Sequence, residues 1–132
     1  MDPKKLFQKL QNEGYNFFTG VPDSALKDFQ NDLEKSGLPN IIATHESQAV
    51  AIAVGAMLAG KKACVYMQNS GLGNVVNPLT SLCSPADICP LLVIGHRHTL
   101  PQHKIMGEID EKLLKLMGYK NYILVRGENN VK

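Results

Sequence analysis

What this sequence has little of narrows its function before any motif is read. Cysteine occurs three times, at Cys64, Cys83 and Cys89, an odd number with no C-x-x-C pair. Neither a disulfide framework nor a structural zinc site is therefore expected, and the thiols read as small buried hydrophobes. Charge of one sign is hardly in excess: 14 Lys and Arg stand against 12 Asp and Glu, scattered along the chain. That leaves no electrostatic footprint for nucleic acid. No apolar run approaches the roughly 20 residues that cross a bilayer. The strongest lies at residues 49–59, and the opening MDPKKLFQKLQ lacks the apolar stretch of a signal peptide. No membrane association and a cytoplasmic location are the expectation. Repeats, low-complexity tracts and flexible linkers are also missing.

What is present suits one packed domain. The 132 residues are 44% hydrophobic and 20% charged, the balance of a soluble globular chain. Residues 1–125 are expected to form the domain and 126–132 a polar C-terminal tail. Leu6, Phe7 and Leu10 share a helical face, with Gly14 where a helix would stop. Residues 15–19 read as a strand. Gly20-Val21-Pro22-Asp23-Ser24 then turns into a helix carrying Leu26, Phe29 and Leu33 and closed by Gly37, with Asp23 or Ser24 as N-cap. A strand at 40–44 leads through His45-Glu46-Ser47 to a helix over 49–59 that is apolar nearly all round, so burial on several sides is expected. A strand at 63–68, a loop at 69–74, a helix at 75–83 and a strand at 90–95 follow. A long polar loop at 96–107, a helix near 110–117 and a strand at 121–125 complete the chain. Wholly apolar strands alternating with helices predict an α/β fold, a doubly wound parallel sheet with helices on both faces.

Such sheets bind ligands beyond the carboxyl ends of their strands. The rule selects residues 20–24, 44–48, 68–74 and 96–98 and predicts that they converge. Glu46 is the most informative, an acid where a strand meets an otherwise apolar helix. It is either a first-turn acid favoured by the helix dipole or a partly buried carboxyl that shares a proton with a ligand. Asn69-Ser70-Gly71-Leu72-Gly73-Asn74 holds glycines that would let a ligand approach backbone N–H groups. It matches neither G-x-x-x-x-G-K nor G-x-G-x-x-G, so an ordinary turn stays open. Asp23 and Ser24 are caps or site residues. His96, His98 and His103 lack a nearby Cys or paired carboxylate, and no metal site is expected.

Taken together, GVPDS at 20–24, His45-Glu46-Ser47 before an Ala-rich helix, MQNSGLGN at 67–74 and Asn77-Pro78-Leu79 resemble the pyrimidine-binding (PYR) domain of thiamine diphosphate-dependent 2-oxoacid decarboxylases. The resemblance covers nearly the whole chain. It looks nearest to the phosphonopyruvate decarboxylases and next to sulfopyruvate decarboxylase alpha subunits. It implies thiamine diphosphate as cofactor, with Glu46 hydrogen-bonding the aminopyrimidine ring and favouring its imino form. The cofactor then does the hard chemistry. Asp23 and Ser24 would be catalytic, facing the reacting carbon. Gln68, Asn69, Ser70, Gly71 and Asn74 would line the cofactor, and His96, Arg97, Gln102 and His103 would offer an anionic 2-oxoacid a positive or hydrogen-bonding surface. The implied reaction turns phosphonopyruvate into phosphonoacetaldehyde and carbon dioxide. Sulfopyruvate decarboxylation, or a non-catalytic module on the same fold, is the alternative. After Gly95 the sequence is shorter than phosphonopyruvate decarboxylases usually are. The family's G-D-G…N motif for magnesium and diphosphate does not occur in these residues. The resemblance therefore implies a beta subunit whose diphosphate-binding (PP) domain holds Mg2+. The hetero-oligomer would be joined through residues 49–59 and 69–79, most simply as two alpha and two beta chains.

Overall fold

The computed structural model describes residues 2–126; the tail expected at 126–132 lies outside them from residue 127 onward. Five strands pair in parallel: β1 (Phe17–Gly20), β2 (Asn40–Ile42), β3 (Ala63–Gln68), β4 (Leu91–Gly95) and β5 (Tyr122–Val125). Their order is β2-β1-β3-β4-β5. Parallel neighbours cannot be joined by hairpins, so each connection crosses the sheet through a helical segment. Helix α1 (Leu6–Asn12) precedes β1, α2 (Lys27–Ser36) joins β1 to β2, and α3 (Glu46–Leu58) joins β2 to β3. A helical run at residues 76–86 joins β3 to β4, and α4 (Pro101–Met117) joins β4 to β5.

Both faces are covered, as the apolar strands predict. Cys64 and Tyr66 of β3 pack with α1 and α2 on one face, while Val65 and Met67 pack with α3 and α4 on the other. Alternate side chains thus enter two different cores, which is why β3 reads as apolar without alternation. On the first face Phe7, Phe18, Phe29 and Tyr66 form an aromatic cluster with ring centroids 5.5 to 6.1 Å apart. Each such pair adds about 0.5–1.5 kcal/mol to the burial of its rings. The chain leaves β1 for β2 on one side and returns to β3 on the other, so the crevice of this sheet opens beyond Gly20 and Gln68.

The structure corrects several element boundaries. The segment expected as a long polar loop at 96–107 is mostly helix, because α4 starts at Pro101. Proline suits a first helical turn, where its missing N–H and fixed φ cost nothing. Strand β2 stops at Ile42 and is an exposed edge. The helix expected at 75–83 continues to Ala86 through a π-helical turn at Leu79–Cys83. Helix α3 begins at Glu46, because the extended His45 caps it: Nδ1 accepts the Ser47 N–H at 3.1 Å. Within this chain it is buried on one side only, not on several as expected. Ala49, Val50, Ala53 and Val54 are buried, but Ala51, Gly55 and Leu58 are exposed, Leu58 by 72%. Cys64 and Cys83 are buried and Cys89 half-buried, and burial pushes the Cys83 thiol up to about 11. No described helix is long and apolar enough to cross a membrane.

Candidate active site

The segments selected at the strand ends are joined by one chain of contacts. Beyond β2, the Thr44 N–H donates to Gln48 Oε1 at 2.8 Å and His45 caps α3, so the first turn of that helix is fixed. Glu46 stands in this turn, where the dipole favours an acid. It is also held from outside the helix. Asn74 Nδ2 donates to Glu46 Oε1 at 2.8 Å, and the Ser47 hydroxyl donates to the Asn74 carbonyl. Gly71 passes so close that a Cβ there would lie 2.7 Å from Glu46 Cγ and 2.9 Å from Oε2. One carboxyl oxygen is thus anchored and the other lies against bare backbone.

Asp23 and Ser24 follow β1. Asp23 occupies the N-cap position of the short helical turn Ser24–Leu26, but its side chain does not cap it. The carboxylate is buried instead: Oδ1 accepts from Arg97 Nε at 3.1 Å, and Arg97 Nη2 donates to Ser24 Oγ. Asp23 Oδ2 has no hydrogen-bond partner among the described residues and packs on Gly95, where a Cβ would come within 2.5 Å of it. Burial pushes this carboxyl above the ordinary range of an Asp, and the Arg97 guanidinium pulls it only partly back. A carboxyl raised by folding stabilises the fold below its unfolded value and loses that contribution as pH rises through the raised one. Asp23→Asn is therefore expected to melt at a higher temperature than wild type at pH 7, with the gap closing as pH falls through the raised value and gone below 3.8. Thermal melts of both chains across that range test this; a lower melting temperature for Asp23→Asn at pH 7 would show that the Arg97 pair outweighs burial.

Beyond β3 and β4, Gln68 Nε2 lies 3.0 Å from His103 Nδ1. Asn69 is wholly buried, and its Nδ2 donates to the Arg97 carbonyl at 2.8 Å and to Asp110 Oδ2 at 3.0 Å. His96 Nδ1 lies 2.5 Å from the same Asp110 oxygen. Ser70 and Gln102 are exposed and stand outside this network. The sequence reading missed Asp110, expecting it at a helix start. In α4 it lies mid-helix in register with Met106, Leu114 and Met117, which pack into the core. An acid at that spacing was the available signal. His98 faces Glu108 at 4.0 Å, so the three histidines have three separate neighbours. Among the described residues no group of three or more His, Cys, Asp or Glu is placed to hold a metal ion.

Residues 4–116 match the family described as thiamine pyrophosphate enzyme, N-terminal TPP binding domain. The chain belongs to this family. This TPP binding domain is 38% identical over 122 residues to the sulfopyruvate decarboxylase subunit alpha of Methanocaldococcus jannaschii, covering 89% of this chain and 72% of that one. It is 39% identical over 113 residues to the phosphonopyruvate decarboxylase of Streptomyces viridochromogenes, covering 81% of this chain and 28% of that longer one. Both relatives are decarboxylases. Among solved structures it resembles 2-oxoglutarate:ferredoxin oxidoreductase from Magnetococcus marinus, with a TM-score of 0.65 at 22% identity over 76% of this chain and 18% of that one. That likeness shows the parallel α/β fold.

Proposed function

We propose that this chain is the pyrimidine-binding (alpha) subunit of a thiamine diphosphate-dependent decarboxylase. Its PYR domain spans residues 1–125, and its substrate is a three-carbon 2-oxoacid with an anionic tail, phosphonopyruvate in the first reading. The observation that carries this is the Glu46 carboxyl, fixed by Asn74 and Gly71 beside the sheet's switch point. The donor set fits an aminopyrimidine ring: a carboxyl with one oxygen already satisfied, bare backbone at Gly71, and the amide of Gln68 at the next strand end. When bound, thiamine diphosphate supplies the electron sink for the pair left behind by carbon dioxide. Glu46 holds a proton for the pyrimidine ring. Its tether to Asn74 keeps Oε2 in one position, so no reorganisation is needed when the proton moves. Asp23, desolvated and paired, holds or returns a proton beside the Ser24 hydroxyl. Arg97 provides a planar cation suited to a phosphonate or sulfonate.

The exposed apolar side of α3 supports a partner chain, since Leu58, Ala51 and Gly55 there face no described residue's core. We place the diphosphate and Mg2+ on that partner's PP domain, in a cytoplasmic hetero-oligomer joined through α3 and residues 69–79. Sulfopyruvate is the second reading. It is favoured by two relatives named subunit alpha, of which this chain covers 72% and 69%. The test is carbon dioxide release from each acid, with thiamine diphosphate, Mg2+ and a PP-domain chain added to this one. Turnover requiring both chains supports the proposal and selects the acid. A formed complex that is silent with both acids favours a non-catalytic module.

A further inference from the structure

The Arg97 side chain reaches two residues, Asp23 and Ser24, that lie more than seventy positions away in sequence. A long flexible side chain holds such a position only if its own backbone is fixed. The backbone of residues 96–98 belongs to no strand or helix; the His96 N–H donates to the Val125 carbonyl of β5 at 3.0 Å, and beyond that bond something else fixes Arg97.

Helix α4 does. Gly107 lies against this segment so closely that a Cβ there would come within 2.6 Å of the Arg97 carbonyl oxygen and of the His98 ring. The same carbonyl accepts the Asn69 amide at 2.8 Å. Less than one turn along α4, Asp110 holds the two groups that flank it. Its Oδ2 accepts from Asn69 Nδ2 at 3.0 Å and meets His96 Nδ1 at 2.5 Å, while Oδ1 accepts the Glu111 N–H at 2.6 Å. A carboxylate already accepting two N–H bonds takes the third contact as an acceptor too, so His96 carries its proton on Nδ1. Asp110 is 2% exposed, His96 8% and Asn69 not at all, so water does not compete for these bonds. Asn69 Nδ2 sends one N–H bond to each side, which makes it the link between the α4 carboxylate and the Arg97 main chain.

The geometry points to Asp110 as the positioning residue of this site: through Asn69 and His96 it sets the backbone from which Arg97 reaches Asp23 and Ser24. It touches neither substrate nor cofactor in this scheme and acts through Asn69, His96 and the Arg97 they position. The functional meaning rests on the proposed decarboxylase, in which Arg97 meets the anionic tail of the oxoacid, but the mechanical link does not.

The test therefore has a readout that needs no activity. In the full chain labelled with nitrogen-15, the ring nitrogens of His96 report its tautomer and the Arg97 Nε–H reports its bond to Asp23. Wild type is expected to show His96 protonated on Nδ1 and a single sharp Arg97 Nε–H signal. Asp110→Asn keeps the side-chain shape but turns one of the two accepting oxygens into an NH2 donor, which must face either the Glu111 N–H or the Asn69 and His96 donors. It should release His96 to the other tautomer and broaden or shift Arg97 Nε–H, with the dispersed amide spectrum of a folded chain retained. Should Asp110→Asn fail to fold, Asn69→Ala supplies the second reading, since it cuts only the link: His96 should keep its tautomer while Arg97 alone is released. In the assembled decarboxylase, Asp110→Asn is expected to lower kcat/KM roughly tenfold or more, mostly through KM. A folded Asp110→Asn or Asn69→Ala whose Arg97 signal is unchanged would overturn the assignment. That result is distinct from an inactive wild-type complex, which would overturn the decarboxylase reading alone.

Discussion

Glu46→Gln should fold as the wild type does and lose about 10²–10⁴ of its turnover, the usual worth of a positioned proton-transfer group. The substitution is close to isosteric. A glutamine Oε1 accepts the Asn74 amide just as the carboxylate does at 2.8 Å, so the tether between α3 and residues 69–74 survives. What disappears is the oxygen beside Gly71 as a site that can hold and release a proton. Structure and chemistry are therefore separated by one atom. Circular dichroism and a thermal melt check the first, and carbon dioxide release from the assembled complex checks the second. Wild-type turnover in Glu46→Gln, measured with the partner chain present, would remove Glu46 from the reaction and with it the main support for the proposed function.

The sequence shows the sheet well because both faces of its central strands are buried. Cys64 to Met67 reads as a short unbroken apolar run between Lys61-Lys62 and a Gly-containing turn, as a strand buried between two helical layers does. The strand-end rule then finds Glu46, Asp23 and Asn69 without any side-chain geometry. Two kinds of information are not legible. The first is which apolar surface faces the core and which faces out. Ala51 and Ala53 are chemically the same residue, yet one is exposed and the other buried. Composition cannot separate a core from a surface awaiting a partner. The second is long-range pairing among polar groups. Arg97 meets Asp23 across 74 positions and His96 meets Asp110 across 14, and no periodicity encodes either. Helix α4 illustrates how the two combine. Gly107 lowers its apparent helix propensity, and His103 and Lys104 give its start the look of a loop. Both features follow from what the helix does, because Gly107 admits the 96–98 backbone and His103 meets Gln68. Local signals fail where the residues are chosen for the site.

Gly71→Ala should be nearly as damaging to turnover as a substitution in the site itself, although alanine is the smallest change available. Gly71 is not among the glycines with positive φ, so its backbone would tolerate a side chain. The need for glycine is one of space. The added Cβ would lie 2.7 Å from Glu46 Cγ, 2.9 Å from Cδ and 2.9 Å from Oε2. A free surface glutamate would swing aside at little cost. This one is held at its base by the first turn of α3 and at its tip by Asn74, so either the helix start or the Asn74 bond must give. Overpacking of this kind costs about 1–3 kcal/mol in stability. A displacement of about 1 Å at a reacting group costs about 10²-fold in rate. Gly73→Ala is the internal control, since a Cβ there meets nothing within 4 Å, and it should turn over like wild type. Combining Gly71→Ala with Glu46→Gln gives the sharper test. If Gly71 acts only by leaving room for Glu46, the double variant should be hardly slower than Glu46→Gln alone, because the group whose position Gly71 protects has already lost its function. Rates that multiply would instead mean that Gly71 contributes through its own backbone, as a surface against which the ligand lies.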